Sequence, residues 1–180
     1  MKRLKYALTV SFIICLSVNC YSQTSEEKED QKIKLKKLYL EQKLQRSVMN
    51  LAAILTCGIA YAKSQGETPE DYGKFVGDIL AASWKGSKGK GISAFVKGMY
   101  LNFQSDRNCK WEIVNNSENS VTVKMNRFGD ETVKYYAYAG VTPQEYDRTM
   151  GKLMEAITDY LGFDYEQELE GDQIVFTVSE

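Results

Sequence analysis

The chain has 180 residues, with 23 Lys plus Arg against 24 Asp plus Glu, four cysteines and no histidine. Without an imidazole there is no Ser-His-Asp or Cys-His relay, no HExxH zinc site and no histidine general base. The charge balance supplies no basic excess, so nucleic acid is not an expected partner.

The chain opens MKRLKYALTVSFIICLSVNCYSQ: Lys2, Arg3 and Lys5 precede an apolar run from Tyr6 to Val18, and small polar residues follow. That order reads as a signal peptide over 1–22, the run being shorter than the roughly 20 residues a membrane span needs. Export into the periplasm or the extracellular space is expected, with no transmembrane segment in the mature chain. The alternative is a lipid anchor through Cys20, against which Asn19 stands where a small residue is usual. Loss of 1–22 removes three basic residues and no acidic one, leaving 20 against 24. The remaining length suits a single domain over 32–180.

Residues 23–31, QTSEEKEDQ, have nothing to bury and read as a disordered polar segment. From Lys32 to Lys63, Ile33, Leu40, Leu44, Val48, Leu51, Leu55, Ile59 and Ala62 recur at three- and four-residue steps, which predicts a long helix. Its Lys-rich part, 32–46, could project as a docking arm. Thr68-Pro69 opens a second helix with Tyr72, Phe75, Val76, Ile79, Leu80 and Ser83 on its apolar face. KGSKGKG over 85–91 interrupts, and Phe95, Val96, Met99, Tyr100 and Phe103 mark a third helix.

After SDRNC the period becomes two. KWEIV and SVTVKM flank a turn and predict a β-hairpin with Val121, Val123 and Met125 on one face, and VKYYAYA over 133–139 suits a further strand. Thr142-Pro143 starts the last helix, with Tyr146, Met150, Leu153, Met154, Ile157 and Leu161 inward and Gly162 as its stop. DYEQELEGDQIVFTV closes as a hairpin. The predicted order α-α-α-β-β-β-α-β-β makes an α+β fold: N-terminal helices packed with a mainly antiparallel sheet. The final helix, its Gly162 cap and the closing hairpin are similar in order to small-molecule-binding α+β domains of the four-vinyl-reductase type. Cysteines are frequent near the end of those domains, whereas none follows Cys109 here, so no residue role is carried over.

The two prolines, Pro69 and Pro143, share a Gly-x-Thr-Pro-x-acid-Tyr setting. In each, Thr is the N-cap, Pro the first helical residue and Asp71 or Glu145 the third-position acid of a capping box. Gly77 and Gly151 keep the same offset; a mid-helix glycine costs about 1 kcal/mol relative to alanine, so each could admit a close backbone neighbour or a ligand.

Chemistry-bearing candidates are few. Tyr135, Tyr136 and Tyr138, with Trp84 and Trp111, offer aromatic faces for a glycan or an apolar ligand. The ligand-binding set is Tyr72, Trp84, Tyr136, Tyr138 and Tyr146. Lys88 and Lys90 in GSKGKG could hold an anion, although the phosphate-loop pattern fails at Ile92. Asp164, Glu166, Glu168, Glu170 and Asp172 alternate as a solvated strand face does. Cys57 and Cys109 could pair after export, or Cys57 could be a small buried apolar residue. No metal site, cofactor or catalytic residue is implied. The reading is an exported, non-catalytic cell-envelope protein, binding a small molecule or glycan in a groove between helices and sheet. The alternatives are an assembly protein meeting an envelope partner through the helix at 32–46, or a hydrolase that works without histidine.

Overall fold

The computed structural model describes residues 38–135 and 139–180, together with every side chain in them but that of Tyr135. The signal-peptide reading, the polar segment 23–31 and the first part of the Lys-rich stretch lie outside these residues.

Helix α1 spans Leu40–Ser64. Leu38 and Tyr39 are not helical, and the Tyr39 N–H donates to Gln42 Oε1 at 3.1 Å. Of the helix expected from Lys32 to Lys63, the described part is helical from Leu40 onward, and residues 32–37 lie outside the described residues. The buried line of α1 is Val48, Ala52, Thr56, Ile59 and Ala62, while Leu40 and Leu51 of the expected stripe are 72% and 50% exposed.

Helix α2, Pro69–Ala81, leads directly into a 3₁₀ turn, Ala82–Ser87, and α3 follows at Ile92–Phe103. Phe75 and Ile79, expected inward, are 54% and 62% exposed; the buried residues of α2 are Pro69, Gly73, Gly77 and Ala81. The small residues form the packing face because α5, Pro143–Leu161, crosses α2 at close range. A Cβ on Gly73 would run into the Thr149 carbonyl oxygen, and one on Gly77 would lie 2.6 Å from the Leu153 carbonyl oxygen. Gly77 thus admits a backbone neighbour, whereas Gly151 faces the Gln167 side chain.

Both capping boxes form. Thr68 Oγ1 accepts from the Asp71 N–H at 3.1 Å, and Thr142 Oγ1 from the Glu145 N–H at 3.2 Å. Each acid in return accepts the N–H of its threonine, at 3.1 and 2.7 Å. Gly162, with φ of 88°, takes the left-handed C-cap of α5.

Four strands make one antiparallel sheet in the order β1-β2-β4-β3: Trp111–Asn116, Ser120–Asn126, Gln173–Ser179 and Asp164–Glu170. Val121, Val123 and Met125 stand opposite Val178, Phe176 and Ile174, and this inner face packs on Phe95, Met99, Leu153, Met154, Ile157 and Leu161. Asp164, Glu166, Glu168 and Glu170 point outward into solvent, as their alternation indicates, and Asp172 is exposed in the turn.

The α+β class, with helices gathered first and antiparallel strands later, follows the sequence pattern. One segment differs: Asp130–Tyr135, whose end belongs to the expected strand 133–139, forms a short helix, α4. Its acidic start and the Asp130–Lys134 pair at 2.7 Å favour helix locally, and Val133 is buried beside Ile59, Val141 and Tyr146. For residues 133–135, burial of Val133 has overridden the strand preference, and residues 136–138 of the expected strand lie outside the described residues.

Candidate functional site

Of the described members of the predicted aromatic set, Tyr72 and Tyr146 share one cluster and Trp84 lies in the other. The Tyr72 ring is half-buried with its hydroxyl over Gly58 of α1, and it shares a small cluster with Tyr146, Ile59 and Val141. Burial raises its phenol pKa, the Cys57 thiol adding to the effect. Trp84 belongs to the other, larger core, with its ring centroid 5.2 Å from that of Phe95 and its edge against Gly98. Tyr136 and Tyr138 lie outside the described residues. Lys88 sits 4.6 Å over the Tyr160 ring, and Lys90 is exposed. The two described cysteines, Cys57 and Cys109, are free thiols, and Cys57 is exposed, so neither the pairing nor the buried role offered for it is seen.

Among the concave features of the described residues, two lie on either side of a set of aromatic rings. The first is an open cleft of about 380 Å³ between the C-terminal end of α3 and the start of β1, lined by Tyr100, Gln104, Asp106, Arg107, Cys109 and Trp111. The Tyr100 and Trp111 ring centroids are 5.6 Å apart at 51°. Its loop is anchored from inside: buried Asp106 accepts the Asn108 N–H at 3.0 Å and, across to the loop before α4, the Gly129 N–H at 2.9 Å. That leaves Gln104 and Arg107 as exposed polar groups on a pinned rim. Burial and then the Asp106 charge push the Cys109 thiol pKa up, which makes it a poor nucleophile. Donors, acceptors and aromatic faces are present, but no nucleophile is paired with a base. The cleft is equipped for binding.

The second is an interior cavity of about 20 Å³ between the sheet and helices α3 and α5, lined by Met99, Met125, Met150 and Met154 with Arg127, Tyr146 and several aromatic rings. Trp111 lies 5.9 Å from Phe103 and 5.6 Å from Phe176, and those two rings line the cavity on the other side of the wall. Arg127 is spoken for: Nε and Nη2 donate to the two oxygens of buried Asp147 at 2.6 and 2.8 Å, and Nη1 to Asp130. These bonds outweigh burial and hold the guanidinium charged, its pKa shifted upward. The Tyr165 hydroxyl donates to Gln167 Oε1 at 2.8 Å, and Gln167 Nε2 donates to the Asp147 carbonyl at 3.1 Å.

Tyr146 is the exception. The residue is fully buried, and its hydroxyl has no hydrogen-bond partner. Leaving such a group unpaired costs about 1–3 kcal/mol. Burial first, and then the Asp147 charge, raise its phenol pKa, so the group stays neutral. Sequence reasoning named Tyr146 by its place on the apolar stripe but could not supply its environment. It missed Gln104 and Arg107 altogether; the only signal was their nearness in sequence to Tyr100 and Trp111.

Among the described residues no group of three acidic or sulfur side chains could hold a metal ion, and no helix is long and apolar enough to cross a membrane. No protein-family model matches the chain, and no curated protein does. Solved structures of the Fe(II) unliganded H-NOX protein from K. algicida and of an alanine-to-glycine mutant of it share 12% identity with this chain. Each alignment covers 79% of this chain and 63% of the other, with a TM-score of 0.26. A likeness at that level carries no argument about function.

Proposed function

We propose that this chain is an exported, non-catalytic cell-envelope protein that binds a glycan or a similar small polar molecule in the cleft at the end of α3. The observation that carries the reading is the cleft itself. Its volume of about 380 Å³ lies within the roughly 300–1,000 Å³ of small-molecule sites. Tyr100 and Trp111 supply apolar ring surface, and Gln104 and Arg107 supply planar hydrogen-bonding groups beside it. A sugar ring needs both: C–H faces that rest on aromatic carbon and hydroxyls that are bonded in pairs. The leader-like N-terminus supports export, and the lack of histidine together with the raised Cys109 thiol supports a role without turnover.

The test is a glycan array followed by titration calorimetry on the sugars retained, with the parent protein and with Gln104→Ala and Arg107→Ala. Both side chains are exposed, so neither change should disturb folding. Saturable binding weakened about tenfold by each substitution, the share of one or two hydrogen bonds, supports the reading. Retention of sugars with unchanged affinity in both variants, or no retention at all, removes it.

A further inference from the structure

We infer that the glycan bound in the cleft at the end of α3 is an acidic one, its hexuronate carboxylate taken by the Arg107 guanidinium; this selectivity rests on the cleft being a sugar site at all.

Charge in and around the cleft is one-sided. Arg107 is the cation of the lining, and among the described residues no carboxylate pairs with it, whereas Arg127 and Arg148 are held by Asp147 and Glu70. Asp106, the acid of the lining, is 4% exposed and has both oxygens taken, Oδ1 by the Asn108 N–H and Oδ2 by the Gly129 N–H. Glu112 follows Trp111 in β1, so it projects from the other face of the sheet, where it stands across from Lys124. Lys97, one turn before Tyr100 on the same side of α3, adds a second exposed positive charge. The negative end of α3 does little to oppose an anion, because its last carbonyls are bonded. Tyr100 O accepts the Gln104 N–H, Asn102 O the Ser105 N–H and hydroxyl, and Phe103 O the Asp106 N–H.

The chemistry of the lining then defines the ligand. A guanidinium is a planar fork of donors with no acceptor, and it matches both oxygens of a carboxylate at once. The Gln104 amide donates and accepts, as sugar hydroxyls require. Tyr100 and Trp111, with ring centroids 5.6 Å apart, offer surface to the C–H face of a pyranose. A hexuronic acid carries all three counterparts on one ring: the C–H face, the hydroxyls and a carboxylate. A neutral hexose leaves the Arg107 charge unanswered, and a simple carboxylic acid leaves the rings and the amide idle. Because Asp106 ties the loop down on either side of Arg107, the fork is presented from a held rim.

The experiment titrates the protein calorimetrically with trisaccharides of glucuronic, galacturonic and mannuronic acid, each set against its own methyl ester. The ester keeps the ring and its hydroxyls and removes the charge. At least one acid should bind about tenfold more tightly than its ester, the share of a charge-assisted hydrogen bond. That advantage should shrink as salt is raised from roughly 50 to 500 mM. Arg107→Gln should bring acid and ester together, whereas Lys90→Gln, changed at the other end of α3 from the cleft, should keep the gap. Circular dichroism spectra that match the parent report that both variants are folded. Esters that bind as well as their acids in every pair overturn the selectivity and leave the cleft a site for neutral sugars. A gap that survives in Arg107→Gln, or is lost as readily in Lys90→Gln, overturns it too, the second by showing a general attraction of anions. Failure of every trisaccharide to bind also overturns it, and neutral sugars retained on the glycan array would then still uphold the cleft.

Discussion

Replacing Gly73 by alanine sets helix propensity directly against packing. In an exposed helix the change would stabilise by about 1 kcal/mol. Here the added Cβ would collide with the Thr149 carbonyl oxygen and stand 3.0 Å from both the carbonyl carbon and the Cα of that residue. All three atoms are backbone, so no rotamer change relieves the contact, and α2 and α5 must move apart. Overpacking of this kind costs about 1–3 kcal/mol. Separation also strains the bond from Thr149 Oγ1 to the Pro69 carbonyl, now 3.0 Å, which contributes about 1 kcal/mol. The opposing terms leave a net loss of about 1–3 kcal/mol, or a fall in Tm of about 3–10 °C for a domain of this size. Thermal and urea unfolding followed by circular dichroism measure it. Gly86→Ala is the matched control, because a Cβ there meets nothing within 4 Å, and it should stay within about 0.5 kcal/mol of the parent. A Gly73→Ala protein as stable as the parent would refute the argument that close approach of α5 selects glycine on α2.

Three further outcomes follow from the charged groups. Asp147→Ala strands the Arg127 guanidinium, only 7% exposed, with Asp130 as its remaining carboxylate, and should destabilise by about 3 kcal/mol in urea titrations. Replacing both partners, with Arg127→Met and Asp147→Leu, should recover most of that loss, since desolvation is then avoided at both ends. Glu145 is held below its ordinary pKa of 4.5, chiefly by its hydrogen bond to Lys63, 2.6 Å away, and also by its bond to the Thr142 N–H. A carboxyl depressed in the folded state adds stability above its unfolded pKa and loses it as pH falls through the folded value. Unfolding free energies taken from about pH 5 down toward pH 3 should therefore fall less steeply in Glu145→Gln than in the parent. Parallel slopes would show that the Lys63 contact does not survive in solution.

Amino-acid order alone determined several elements of this protein. Two Thr-Pro-x-acid segments specify helix starts because capping is local: the donor, the acceptor and the fixed proline φ lie within four residues. The alternation of Val121, Val123 and Met125 specifies a sheet face, and that of Asp164 through Glu170 a solvated edge, because strand side chains alternate wherever the strand lies. The absence of histidine closes whole classes of chemistry whatever the fold.

Tertiary structure decided the rest. Hydrophobicity points Phe75 and Ile79 of α2 inward, yet Gly73 and Gly77 face the core, since interhelical distance is set by the partner, and α5 comes closer than any side chain on that face permits. Residues 133–135 read as the start of a strand and end a helix instead, because the Asp130–Lys134 pair lies within that helix and Val133 is buried against Ile59, Val141 and Tyr146 of other segments. The same holds for the candidate site and for the interior cavity. Arg107 and Gln104 acquire meaning only once Asp106 ties their loop to Gly129, and the unpartnered hydroxyl of Tyr146 becomes visible only after every neighbouring donor has been traced to its acceptor. Local chemistry wrote the caps and the alternation; distances between segments far apart in sequence made the cleft and the cavity.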